Sequence, residues 1–174
     1  EDEGYIGGTE DPRIVYGFGG VIAYKNIDFN FFFQGTADAH RVIGNSTIFL
    51  PGSGTTVQGN AYSENLDDRW TDDNQDPYAF WPRLTYGPNK NNYRASTWWK
   101  KDMSFLRLKT VEIGYTFPKK WMEKIYSKGA RVFVSGNNLL CFSPFKLWDP
   151  ELGTNNGLKY PMNRSILFGI DINF

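Results

Sequence analysis

The chain has 174 residues, enough for one packed domain, and balances 19 Lys and Arg against 19 Asp and Glu. A neutral chain has no bulk attraction to polyanions, so no nucleic-acid partner is expected. Although 40% of its residues are hydrophobic, 17% are Phe, Trp or Tyr and 18 are Gly, a bias that points away from helical bundles and toward β structure with many turns.

The opening EDEGYIGG is acidic and lacks the basic start and apolar core of a secretory signal. If the protein is exported, its signal has been removed or lies upstream. No run approaches the roughly 18 consecutive apolar residues of a spanning helix. The first element is RIVYGFGGVIAYK, a strand over 13–25 with Ile14, Tyr16, Phe18, Ile22 and Tyr24 on a bulky face and Val15, Gly17, Gly19 and Ala23 on a small one. A very short turn leads to a second strand over 27–37, where Ile27, Phe29, Phe31 and Phe33 alternate with Asp28, Asn30, Phe32 and Gln34. The two read as a hairpin.

Periodicity then dissolves over 38–102, where Gly, Asn, Asp, Pro and Ser punctuate scattered aromatics. A connection of that length without structure of its own argues against a compact soluble domain unless the loop is functional. It returns over 103–117: Val111, Ile113, Tyr115 and Phe117 share one phase, while Leu106 and Leu108 fall on the other. A one-residue slip exchanges the faces of a strand, so a bulge or a change of environment is expected near Lys109. Pro118 ends the strand, KKWMEKIYSKG holds at most a short helical turn, and a fourth strand runs over 130–142. It carries Cys141, the only cysteine, which excludes an internal disulfide and a cysteine-based metal cluster. A second irregular stretch, 143–162, precedes a fifth strand over 163–174, in which Ile166, Phe168, Ile170, Ile172 and Phe174 alternate with residues that are mostly small or polar.

Short turns therefore alternate with long irregular segments. That asymmetry matches outer-membrane β-barrels, whose periplasmic turns are short and extracellular loops long. Strands of about 9 to 11 residues span the hydrocarbon when tilted, and lipid on one side with water on the other selects apolar-out, polar-in alternation. Alternation alone fits a soluble antiparallel sheet with one buried face equally well.

The stretches SFLRLKTVEIGYTFPKKW, VFVSGNNLLCFSPFKLWDPE and YPMNRSILFGIDINF resemble the C-terminal end of the SusC/RagA family of TonB-dependent outer-membrane transporters of Bacteroidetes. YGFGGVIAYKNIDFNFFFQG is similar to the hairpin that precedes the family's last large extracellular loop. The resemblance covers nearly the whole chain, is looser over 40–92, and departs at Asn163, where a proline is expected. It implies an all-β chain holding about the last five antiparallel strands of a 22-stranded transmembrane barrel, with extracellular loops over 38–102 and 143–162. It further implies a plug and other barrel strands supplied by the remainder of the same transporter, a SusD-like surface lipoprotein, power from TonB through a missing N-terminal part, and uptake of oligosaccharides or peptides. Five strands cannot close a barrel, and an open edge in lipid leaves backbone groups unsatisfied, so the chain is expected to be a fragment completed by other polypeptide. The resemblance also makes Phe174, with Ile172, Ile170 and Phe168, the signal read by the barrel-assembly machinery.

Candidate sites follow from residue type. In the long loop, Trp70, Trp81, Tyr86, Tyr93, Trp98 and Trp99 lie among Asp and Asn, and flat rings beside such groups can stack on sugar faces while the polar groups bond hydroxyls. The same rings can instead pack the loop on itself or on the lipoprotein. Trp121 and Tyr126, among Lys119, Lys120, Lys124 and Lys128, suit a membrane interface. Asp72, Asn74 and Asp76 match the first ligand positions of an EF-hand, but Pro77 replaces its glycine and Arg83 its bidentate Glu, so the EF-hand fails. A hydrated loop is favoured over a looser calcium site, and no metal and no cofactor is expected. His40, the only histidine, has no nucleophile motif beside it. No catalytic residue and no enzyme activity is expected. The alternatives are a soluble β-sandwich glycan-binding module using the loop aromatics, and an outer-membrane enzyme using His40.

Overall fold

The computed structural model describes residues 4–44, 63–85 and 89–174. β1 (Ile14–Tyr24) and β2 (Ile27–Ala37) form a hairpin in full register, Tyr24 opposite Ile27 and Ile14 opposite Ala37. Only Lys25 and Asn26 separate them, and Lys25 takes φ +53° to make so tight a reversal. Asn26 then ties the turn to a neighbour, its side chain donating to the Thr116 carbonyl at 2.8 Å and its own carbonyl accepting from the Thr116 amide at 2.8 Å.

The long middle segment holds β3 (His40–Val42), α1 (Glu64–Asp67), α2 (Lys90–Tyr93), a 3-10 turn (Thr97–Trp99) and β4 (Lys100–Asp102). β3 and β4 pair as a separate two-stranded ribbon, so the stretch read as irregular is closed at its base. β5 (Phe105–Thr116), α3 (Lys119–Met122), a 3-10 turn (Glu123–Ile125), β6 (Gly129–Phe142), a 3-10 turn (Pro150–Leu152) and β7 (Ser165–Asn173) complete the chain. The main sheet is a five-stranded antiparallel meander in the order β1-β2-β5-β6-β7, with β1 and β7 as open edges. All its short turns lie at one end and all its long segments at the other.

Register fixes two chemically distinct faces. Tyr24, Ile27, Tyr115, Val132 and Ile170 lie in one row across the sheet, and Ile22, Phe29, Ile113, Val134 and Phe168 in the next. The opposite face carries Asp28, Asn30, Gln34, Glu112, Arg107, Arg131, Ser135 and Asp171. The slip at Lys109 is a bulge. Against β2, Lys109 is an extra residue; against β6, the pair Asn138 and Leu139 face it, with Asn138 at φ +54°. The bulge returns Leu106 and Leu108 to the apolar face, opposite Phe142 and Leu140.

That apolar face is bare. Phe18, Ile22, Tyr24, Ile113, Leu140, Phe142, Ile166 and Ile170 are all exposed, and Phe168 is 80% exposed. Phe18 stacks on Phe33 at 5.3 Å, with Phe31 edge-on to Phe33 at 6.0 Å, so the rings tile the surface instead of filling an interior. Among the described residues no second sheet packs on it as a β-sandwich requires. The core sits elsewhere, at the loop end, where Ala39, Ile43, Trp81, Trp99, Met103 and Phe145 cluster with Val42, Phe80, Trp98, Leu147 and Trp148 around them.

Candidate functional site

The polar face is built around Arg131 of β6. Its guanidinium meets Asp28 of β2 (Nε–Oδ1 3.1 Å, Nη2–Oδ2 2.5 Å) and Glu112 of β5 (Nη2–Oε1 2.7 Å), with Asp171 of β7 at 4.0 Å. One cation thus joins carboxylates from three neighbouring strands. The side chain lies flat because Gly114 lies beneath it, and a Cβ there would collide with the guanidinium. Phe133 crosses Gly169 in the same way. Both side chains are thereby laid along the sheet.

Nearer the loop end, Arg107 and Lys109 of β5 reach the last loop. The Arg107 side chain is 3% exposed, pairs through Nη2 with Asp149 and places Nε 2.9 Å from Glu151 Oε2. Lys109, carried by the bulge, places Nζ 2.5 Å from Glu151 Oε1. Asp149 also accepts from the Glu151 amide at 3.0 Å, which holds the 3-10 turn that presents both acids. Desolvation of a buried charge is expensive unless partners meet it; here two cations face two carboxylates, with Arg107 Nε and Glu151 Oε2 opposed as charges outside hydrogen-bond geometry. A cleft of about 270 Å³ opens beside this clamp, lined by Gln34, Thr36, Arg41, Met103, Phe105 and Glu151.

Above the sheet, the two long segments share one interior. Trp81 and Trp99, each 3% exposed, meet edge to face at 6.0 Å, while Phe145 and Trp148 of the last loop pack edge to face at 4.7 Å. The indole N–H of Trp98 donates to the Phe80 carbonyl at 3.2 Å and that of Trp99 to the Asn92 carbonyl at 2.9 Å. Lys101 extends over the Phe80 ring, 3.9 Å from its centroid. Burial pushes its ammonium below its ordinary range, and Asp68 partly opposes that shift. A second cleft of about 270 Å³ lies on this cap, lined by Trp70, Arg83, Asn91, Asn92, Ser96 and Trp98.

No family model matches the chain. Over 99% of its length it is 32% identical to TonB-dependent receptor P26 of Formosa agariphila. It is 29% identical over 96% to TonB-dependent receptor P3 of the same organism, and 23% identical over 92% to TonB-dependent receptor SusC of Bacteroides thetaiotaomicron. The chain spans 18%, 17% and 15% of those relatives' lengths. It superposes on the RagAB peptide importer in its closed-closed state with a TM-score of 0.74 at 25% identity, and in its open-open state with 0.72 at 28%, covering 96% of this chain and 18% of the importer chain each time.

The chain belongs to the SusC/RagA family of TonB-dependent receptors.

Its unclosed five-stranded sheet matches a fragment of a TonB-dependent barrel. Within this SusC/RagA-family segment the aromatic candidates divide by geometry. Trp81 and Trp99 are buried in the cap's core, although Trp99 also borders the upper cleft; Trp70 and Trp98 are half-buried with ring surface at that cleft. Tyr93 ends α2, and Tyr86 lies outside the described residues. Trp121 and Tyr126 stand at the short-turn end, 56% and 93% exposed. Phe168, Ile170 and Ile172 lie on the bare apolar face, and Phe174 is exposed just beyond β7. His40 sits in the ribbon with Nδ1 3.5 Å from Asp38 Oδ1. In the acidic run, Asp72 pairs with Arg83 at 2.9 Å and Asp76 caps the Tyr78 amide at 2.8 Å.

Sequence reasoning missed the Arg131 node and the clamp. A signal for the clamp was present: Arg107 and Lys109 are two residues apart, as are Asp149 and Glu151, so complementary charges occur at matched spacing. The Arg131 node has no such signal, because its partners come from strands up to 103 residues away.

Proposed function

We propose that this chain is the C-terminal part of the barrel, residues 1–174, of an outer-membrane TonB-dependent importer. In this reading the strands cross the membrane, the short turns face the periplasm, and 38–102 and 143–162 are extracellular. One observation carries it: the sheet leaves a continuous bulky apolar face uncovered, while its opposite face carries a network of paired charges. A soluble protein does not leave so contiguous an apolar surface to water, whereas hydrocarbon on one side and a hydrated lumen on the other stabilise both faces. β1 and β7 then pair with the remaining strands of the same transporter.

The substrate is an oligosaccharide or a peptide, taken up with a SusD-like surface lipoprotein and powered by TonB through parts of the transporter outside this chain. Likeness to the RagAB peptide importer supports the peptide class, while the oligosaccharide rests on the family resemblance and on the half-buried loop indoles. Trp70 and Trp98, flanked by Asn91, Asn92 and Arg83, are the substrate contacts best supported by ring exposure. Phe168, Ile170, Ile172 and Phe174 form the assembly signal. The test is purification of the native protein: extraction only with detergent, a heat-modifiable gel mobility and a copurifying lipoprotein are expected. A monomer soluble without detergent overturns the reading.

A further inference from the structure

The turn between β5 and β6 is a basic surface on a chain whose net charge is zero. Over Lys119–Lys128 there are four lysines and one glutamate, and Lys119, Lys120, Lys124 and Lys128 are all exposed. Lys128 is committed, its Nζ donating to the main-chain oxygen of Phe174 at 2.8 Å. Among the described residues no carboxylate pairs with Lys119, Lys120 or Lys124.

The turn is a fixed platform. Met122 is buried, the Ser127 hydroxyl donates to the Asn173 carbonyl at 2.7 Å, the Lys128 amide donates to the same carbonyl at 2.8 Å, and the Ser127 amide donates to the Met122 carbonyl at 3.1 Å. Tyr126, at φ +55°, closes the 3-10 turn by donating its amide to the Glu123 carbonyl at 3.3 Å. Aromatic rings lead to it from the sheet: Tyr115 meets Phe117 at 5.3 Å, and Phe117 meets Trp121 at 6.3 Å. In the adjacent hairpin turn, Lys25 lies over the Tyr24 ring, 5.1 Å from its centroid. Aromatic rings with a polar edge settle at headgroup depth, and lysines one turn beyond them stand at the height of the phosphates, with their alkyl stems along the interface.

We propose that this platform, with Lys119, Lys120 and Lys124 as its free cations, docks anionic phospholipid headgroups of the leaflet at the short-turn end. The proposal rests on the membrane-spanning reading above. A basic cluster beside a membrane-embedded segment attracts anionic lipid over about a Debye length, and the rigid turn lets three charges act together on one headgroup region.

The test uses the full transporter in nanodiscs of phosphatidylethanolamine with and without phosphatidylglycerol, with native mass spectrometry counting retained lipid. Phosphatidylglycerol is expected to be retained over phosphatidylethanolamine, and the K119Q/K120Q/K124Q variant to lose at least about fivefold of it. If that variant fails to give a heat-modifiable barrel, a salt titration of the wild type decides: retention must fall as salt rises. Equal retention in variant and wild type, no preference over phosphatidylethanolamine, or retention insensitive to salt overturns the proposal. An inserted transporter without anionic-lipid preference defeats only this inference, whereas a protein that needs no membrane defeats the reading beneath it.

Discussion

Arg107 shows how one side chain decides the shape of a loop distant in sequence. It is nearly fully buried and has a carboxylate on either side, from Asp149 and Glu151. Replacing it with Met leaves Asp149 without its cation and Glu151 with Lys109 alone, at a cost of about 3 kcal/mol for a broken buried pair. In Arg107→Met, hydrogen exchange is expected to quicken across 143–162 while β1 and β2 keep their protection; unchanged exchange in that loop would discard the clamp. Trp70 is the cleaner of the two cleft indoles to remove, because Trp98 also bonds the Phe80 carbonyl. Trp70→Ala is expected to weaken substrate binding roughly fivefold, the loss of about 1 kcal/mol of ring contact, measured by calorimetry on the transporter. Lys101 links the cap to pH. Burial lowers its value below the ordinary 10.5, so between those two values the unfolded cap binds a proton that the folded cap does not. Stability of the cap therefore rises with pH through that window, visible as slower exchange of loop amides on raising pH toward 10 after correction for intrinsic rates, and the trend should vanish in Lys101→Met.

At the level of elements, the strands were legible because each carries a two-residue period with bulky and polar sides separated, from Ile14–Tyr24 to Ile166–Ile172. The slip between Leu108 and Val111 marked a bulge in β5, since only an extra residue returns both leucines to the apolar side. Its counterpart in β6 gave no such mark, because Asn138 in the left-handed region is a property of conformation and Asn occurs freely in loops. Asn138→Val and Asn138→Gly both lose the side-chain bond to the Asn163 carbonyl, so the conformational cost is read as their difference: Asn138→Val is expected to cost about 1–2 kcal/mol more than Asn138→Gly, measured as the temperature at which the folded gel band is lost, and equal losses would refute a conformational role. The cap was illegible for a different reason. Its core joins Ala39, Trp81, Trp99 and Phe145, spaced without period, and packing among residues brought together only by chain path leaves no repeating pattern.

For the whole molecule, both edges of the sheet are open and one face is bare, so residues 1–174 are not expected to be a stable unit alone. Expressed by themselves in a detergent-free system, they should aggregate. Coexpressed with the remaining transporter as a separate polypeptide, they should assemble into a heat-modifiable complex. A soluble, monomeric and cooperatively unfolding segment would contradict this expectation. The interior shared by the two long loops, with Phe145 and Trp148 of the second packed beside Trp81 and Trp99 of the first, bears on how such proteins can be re-engineered. Neither loop is a separable module: a specificity graft carrying only 38–102 from a relative would bring half of an interior and leave its partner behind, so the smallest transplantable unit is the pair.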